Sequence, residues 1–189
     1  MNKELKMKRI EEEIKNCNLC ALHETRNNPV AGDGSLDAEI MFIGEGPGYW
    51  EDMKGKPFVG KAGKVLDELL ESIGLKRGDI YITNVVKCRP PENRDPLPEE
   101  ISACSQYLDR QILLIQPKVI VTLGRFALSY VFNKFGLKEE KISNVHGKVF
   151  VVNNIFGNLK IIPLYHPAVA VYNPNMKNSL LKDFKKLVE

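Results

Sequence analysis

The feature that most constrains this chain is the alternation of short apolar, β-branched runs with stretches of helical period. Residues 39–43, 79–86, 118–123, 148–152 and 159–164 read as strands, and none is long enough for a helix of ordinary length. Residues 3–16, 61–73, 125 to about 135 and about 175–188 carry apolar side chains at helical spacing. Pro98-Glu99-Glu100 opens a further helix, with proline at its first turn and acids near its positive end. Strands that alternate with helices imply an α/β fold, a largely parallel central sheet and helices on both faces. Residues 21–38, 49–60 and 136–147 are loops by their glycine, proline and polar content. The 189 residues are expected to form one domain spanning 1–189.

A parallel sheet points the carboxyl ends of its strands toward one edge, where ligands of open sheets bind. Four such ends, Gly44-Glu45, Asn84, Gly124-Arg125 and His166, place glycine or polar residues directly against apolar runs. At the first of them, Gly44-Glu45-Gly46-Pro47-Gly48-Tyr49-Trp50-Glu51-Asp52 ends the helix-or-strand pattern at once. Glycine there lets another molecule approach the main chain closely, and two carboxylates follow within a turn. A pocket containing Glu45, Asn84 and His166 follows from this topology.

Charge and segment composition narrow the function classes. The net charge of +3 neither demonstrates nor opposes a polyanionic partner. No apolar run approaches the roughly 20 residues of a membrane helix. The first residues, Met1-Asn2-Lys3-Glu4-Leu5-Lys6, precede no apolar core of the secretory kind, so a cytoplasmic protein is expected. Disulfides are uncommon there, and the four cysteines call for another explanation. Cys17 and Cys20 have the two-residue spacing that lets two thiolates grip one metal centre, while fifteen residues separate Cys88 from Cys104. Four thiolates suit either zinc or an iron–sulfur cluster, and the wide second pair favours the cluster. Such a centre would pin the proline-rich loop after Cys88 and tie the N-terminal helix to the pocket edge.

With these parts in place the chain resembles the family 4 uracil-DNA glycosylases, the iron–sulfur members of that superfamily. The resemblance rests on Cys17-x2-Cys20, on Gly44-Glu45-Gly46-Pro47-Gly48-x2-Glu51-Asp52, and on Gly55-Lys56-Pro57-Phe58-Val59-Gly60-Lys61-Ala62-Gly63. It continues through Ile82-Thr83-Asn84-Val85-Val86-Lys87-Cys88-Arg89-Pro90-Pro91 and His166-Pro167-Ala168. It implies a three-layer α/β/α sandwich around a mainly parallel four-stranded sheet. It also implies a [4Fe–4S] cluster on Cys17, Cys20, Cys88 and Cys104. The implied activity is hydrolysis of the N-glycosidic bond of deoxyuridine in DNA, which releases uracil and leaves an abasic site.

The resemblance also implies roles. Asn84 reads the flipped base through one amide donor and one acceptor, Phe58 stacks on it, and Glu45 crowds its C5 edge. His166 donates a hydrogen bond to uracil O2, where negative charge grows. The family lacks the dedicated aspartate of better-known uracil glycosylases. Glu51 is the candidate here for positioning water or stabilising the sugar cation, as carboxylates do in glycoside hydrolysis, with Asp52 a competitor, Asn93 a helper in holding the water and the main chain at Gly46 sharing the task. Residues 168–177 resemble the loop that presses into the minor groove, with Val169, Val171 and Tyr172 as wedge candidates. Lys61, Arg89, Arg125 and Lys177 are candidate phosphate contacts. The expected partner is uracil-containing DNA, single- or double-stranded, with no membrane and no nucleotide cofactor, bound by a monomer. A non-catalytic iron–sulfur protein that binds nucleic acid or carries electrons is the alternative, and the pocket set Glu45, Phe58, Asn84 and His166 weighs against it. A zinc-stabilised nucleotide-binding domain fits less well, because the first motif matches neither phosphate-binding fingerprint.

Overall fold

The computed structural model describes residues 2–155 and 157–189. The chain opens with helix α1 (Lys3–Lys15), capped by the Asn2 side chain, which accepts from the Leu5 N–H at 2.9 Å. Met7, Ile10 and Ile14 form its buried stripe at the i, i+3, i+4 spacing of an amphipathic helix. There follow β1 (Asp33–Gly34), β2 (Ile40–Gly44), α2 (Tyr49–Lys54), α3 (Lys61–Glu71), β3 (Ile80–Asn84), α4 (Pro98–Ile115) and β4 (Val119–Leu123). The remainder is α5 (Arg125–Lys134), α6 (Ile142–Val145), β5 (Phe150–Asn154), β6 (Gly157–Leu164), α7 (Ala168–Tyr172) and α8 (Met176–Phe184).

The sheet order is β1-β3-β2-β4-β6-β5. Its inner four strands are parallel, as expected, with Gly44 opposite Asn84 and Leu123 opposite Leu164. The sheet is wider than four strands, because β1 and β5 add antiparallel edges to β3 and β6. Side chains alternate between two cores. On one face Met41, Ile43, Tyr81, Ile120 and Ile161 pack with α1, α4 and α5. On the other, Phe42, Ile82, Val121, Leu123, Ile162 and Leu164 pack with α3, α7 and α8. The period of two along each strand divides them, and the result is the expected three-layer α/β/α arrangement. Among the described residues no helix is long and apolar enough to cross a membrane.

Three stretches expected as loops contain helices. Residues 49–60 include α2, which Gly55 ends in the left-handed conformation at φ 67°, its N–H bonded to the Glu51 carbonyl. Residues 136–147 include α6 and residues 168–177 include α7. Each is six residues or fewer, too short to display a helical period. The strand β1 lies within the expected loop 21–38. Gly34 is obligatory there, because a Cβ would come within 2.0 Å of the Ile80 carbonyl oxygen.

Candidate active site

The four parallel strands end at one level, and the pocket forms there. It holds about 1000 Å³ of atom-free space, part of it open to solvent. Glu45, Gly46, Glu51, Phe58, Asn84, Asn93 and His166 all line it, together with Pro47, Gly48, Ala62, Pro90, Arg94 and Ala168. Seven side chains or main-chain positions read from the sequence therefore meet in one cavity.

Asn84 ends β3 and is 2% exposed, and its Oδ1 has no hydrogen-bond partner. An unpaired buried acceptor costs about 1–3 kcal/mol, so this oxygen is poised for a donor that the pocket admits. Gly44, its neighbour across the ladder, makes the position possible. A Cβ at Gly44 would lie 2.4 Å from Asn84 Oδ1 and 3.0 Å from the Phe58 ring.

Phe58 sits at φ 51°, a strained conformation for an aromatic residue. Three contacts hold it. The Arg77 guanidinium donates to the carbonyls of Pro57, Phe58 and Gly63, and its Nε donates to Asp67. At Gly63 a Cβ would come within 1.8 Å of the Phe58 carbonyl oxygen, so α3 presses directly on this turn. The Phe58 ring then stacks on His166 with centroids 5.5 Å apart and planes 24° apart.

His166 follows β6, and α7 begins just beyond it. The Ala168 N–H in the first turn of α7 donates to His166 Nδ1 at 3.1 Å. That bond makes Nδ1 the acceptor and leaves the ring proton on Nε2. Burial pushes the imidazole pKa down to about 4, against the opposing pull of the Glu51 carboxylate. At neutral pH His166 is therefore an uncharged ring that donates from Nε2. The positive φ of Gly124, 88°, ends β4 beneath it, where a Cβ would lie 3.3 Å from the His166 Cβ.

The two acids of the glycine-rich turn separate. Glu51 Oε1 accepts from the N–H groups of Val59 at 2.9 Å and Gly60 at 3.1 Å, so one oxygen is spent holding the Phe58 loop. Its Oε2 lies on the Gly48 side, 2.9 Å from where a Cβ at Gly48 would be. Asp52 is 1% exposed and accepts from the Asn27 main chain and amide and from the Asn28 N–H. It braces the segment before β1 and does not line the pocket, so its candidacy beside Glu51 is corrected. One residue along a helix turns a side chain about 100°, which carries Asp52 into the interior. Glu45 is pushed up to about 7, mainly by burial and further by the Asp95 carboxylate, with Arg125 opposing. Asn93 adopts φ 56°, and its Oδ1 accepts from Arg89 Nε at 2.7 Å.

Two supporting residues escaped the sequence reading. Arg77 opens a single 3-10 turn, Arg77–Asp79, between α3 and β3, and signals nothing by its neighbours. Lys87 is 1% exposed, and its Nζ donates to Thr83 Oγ1 at 2.5 Å, to the Asn84 carbonyl at 2.8 Å and to Gln111 Oε1 at 2.7 Å. It holds Asn84 from below. Of the candidate phosphate contacts, Arg125 pairs with Asp95 and Lys177 with Glu68.

Behind the pocket, Cys17, Cys20, Cys88 and Cys104 line one cavity with Ile14, Leu22, Tyr107 and others, enclosing about 330 Å³ of atom-free space. All four thiols are free. Cys88 Sγ accepts from Arg26 Nη1 at 3.2 Å, and Cys104 Sγ accepts from the Lys87 N–H at 3.2 Å. Burial pushes the Cys20 and Cys88 thiols up and the Cys104 thiol up to about 12. Among the described residues, no group of three or more His, Cys, Asp or Glu side chains is placed to hold a single metal ion.

Comparison with known proteins agrees with this geometry. The family model for the uracil DNA glycosylase superfamily matches residues 31–188. The chain is 53% identical to the type-4 uracil-DNA glycosylase of Archaeoglobus fulgidus over 180 residues, 95% of this chain and 90% of that protein. It is 51% identical to the type-4 uracil-DNA glycosylase of Sulfurisphaera tokodaii over 184 residues, 97% of this chain and 84% of that one. With the type-4 uracil-DNA glycosylase of Thermotoga maritima the figures are 45% over 182 residues, 95% and 92%. A parallel sheet with its pocket at the strand ends, four thiols around one cavity, and identities of this size over nearly the whole chain place it in one family: it belongs to the uracil DNA glycosylase superfamily, in the type-4 group.

Proposed function

We propose that the protein removes uracil from DNA by hydrolysing the N-glycosidic bond of deoxyuridine, acting as one domain across residues 1–189 and as a monomer in the cytoplasm without a nucleotide cofactor. The observation that carries the reading is the unpaired Asn84 Oδ1 at the pocket floor, beside a stacked aromatic and a neutral histidine. Uracil flipped from the stack offers an N3–H to that oxygen, and its O4 accepts from the Asn84 amide. Cytosine has no N3–H to offer, so it leaves the buried acceptor unmatched. Phe58, held at its strained φ, stacks on the base. Glu45 crowds the C5 edge, where thymine carries its methyl group.

Bond breaking moves the glycosidic electron pair onto the base, and charge collects at O2. His166 Nε2–H donates to that oxygen. A neutral donor suits the task, because it stabilises developing charge without transferring its proton. The sugar left behind is cation-like. Glu51 Oε2, the carboxylate oxygen not tied to Val59 and Gly60, stabilises it and orients the water that attacks C1′, with Asn93 and the Gly46 main chain assisting. The C1′–N1 bond breaks as the water oxygen bonds C1′, the proton that the water gives up passes through solvent to the departing uracil anion, and the products are uracil and an abasic site.

Cys17, Cys20, Cys88 and Cys104 would hold a [4Fe–4S] cluster. Four thiols around one cavity supply its ligand set. When bound, it fixes the N-terminal segment against the Cys88 loop. Arg26 and the Lys87 N–H then donate to thiolate sulfurs.

The test is alkali cleavage of a labelled oligonucleotide bearing one uracil, with wild type, Asn84→Ala and His166→Ala. Strand cleavage by wild type and its loss in either variant is expected. An intact strand after incubation with cluster-loaded wild type would overturn the reading in favour of a binding or electron-transfer protein.

A further inference from the structure

Helix α2 has two faces of unlike character. Its inner face carries Glu51 and Asp52, both bonded to neighbouring segments. Its outer face carries Tyr49, Trp50 and Met53, exposed at 47%, 55% and 48%. Three large apolar side chains in water on one six-residue helix are not a packing requirement. Their arrangement is ordered. Tyr49 meets Trp50 edge-on, with centroids 5.1 Å apart and planes at 85°. The Arg89 guanidinium lies 5.3 Å above the Tyr49 ring, and Lys54 Nζ lies 5.9 Å from the Trp50 ring.

The aromatic pair also continues the pocket. Trp50 lies against Gly60, at 3.5 Å from where a Cβ there would be, and Gly60 donates to Glu51. Arg89 reaches from Tyr49 to Asn93, a pocket residue, through its Nε. An exposed aromatic surface flanked by cations and joined to a base pocket has the make-up of a single-strand stacking site. Every base offers a π-face to an aromatic side chain, and the cations meet the backbone phosphates.

We propose that Trp50 is a stacking platform for an unpaired base next to the flipped uracil on the same DNA strand, with Tyr49 holding the indole and Arg89 and Lys54 meeting the adjoining phosphates. The proposal rests on the uracil-excision reading. A base within a duplex is already stacked and paired, so the platform serves single-stranded DNA. It touches no reacting atom and acts on binding.

Trp50 is the sole tryptophan of the chain, so its fluorescence reports the contact directly. The experiment titrates wild type with a single-stranded oligonucleotide carrying 2′-fluorodeoxyuridine, which resists cleavage. A second oligonucleotide has tetrahydrofuran abasic residues on both sides of the uridine. Quenching by the first and its loss with the second is expected. In turnover, Trp50→Ala should raise KM on single-stranded uracil DNA about ten- to a hundredfold with kcat retained. Trp50→Phe should keep most of the affinity, and the Ala penalty should vanish on abasic-flanked substrate. Unchanged emission with the intact oligonucleotide, or a KM penalty that persists on abasic-flanked substrate, would overturn the platform. Failure of wild type to release uracil would instead overturn the activity reading, and flank-dependent quenching would still support the platform.

Discussion

The protonation of His166 has a consequence for stability that one substitution isolates. Burial holds its folded-state pKa at about 4, against an ordinary value of 6.5. Between those values the unfolded chain binds a proton that the folded chain refuses, so stability falls as pH drops through this window and the loss is complete below about 4. At pH 5 the shift from 6.5 to about 4 corresponds to a loss of about 2 kcal/mol, and at pH 7.5 to almost nothing. Glu45 acts in the opposite sense. Its folded pKa is raised to about 7, so it costs stability as pH rises from 4.5 and returns it on acidification. The two opposed shifts mask each other in wild type, and comparison with His166→Ala separates them. Urea unfolding of both proteins at pH 7.5 and pH 5 gives the test, with the cavity left by the truncation common to both pH values. The stability advantage of wild type over His166→Ala should shrink by about 2 kcal/mol at the lower pH. An advantage that stays constant would mean that the fold leaves the histidine pKa unshifted and would refute its depression by burial, and one that grows on acidification would mean a histidine protonated in the fold and would refute a neutral donor to uracil O2.

Other substitutions test the support of the site. Asn84→Ala removes a buried acceptor that has no partner, so unfolding in urea should show little loss of stability, or a gain of up to about 1 kcal/mol, while uracil release is abolished. Arg77→Ala frees three carbonyls around Phe58; a loss of about 1–3 kcal/mol in thermal unfolding and a lower kcat/KM on uracil DNA are expected. Cys104→Ser removes one of the four thiols; the purified protein should lose the visible absorbance of an iron–sulfur centre and melt at lower temperature.

The parallel core and its pocket edge were legible because their signals are local. An apolar run that ends in Gly44, Asn84, Gly124 or His166 announces both a strand and its end. What remained hidden depends on contacts distant in sequence. The helix α2 is six residues long, and nothing in its composition separates it from a turn. Asp52 is kept out of the pocket by Asn27 and Asn28, more than twenty residues earlier, which capture its carboxylate. Arg77 reaches the Phe58 carbonyl across nineteen residues, so its place beneath the stacking ring is a product of the fold and not of the motif. The edge strand β1 is two residues long and is defined by its partner, not by its own side chains.

Lys87 carries a consequence for the history of the chain. Its amino group is buried without a carboxylate, burial pushes its pKa down to about 7, and Thr83, Gln111 and the Asn84 carbonyl accept its hydrogen bonds. Removing one acceptor leaves a buried polar group with too few partners, which costs more than exchanging the whole set for apolar side chains of similar volume. Positions 83, 87 and 111 should therefore vary as a set or not at all among descendants of a common ancestor. A lineage that has lost the lysine should have lost the threonine hydroxyl and the glutamine with it. In such a lineage Asn84 stands on a hydrocarbon footing in place of a polar one.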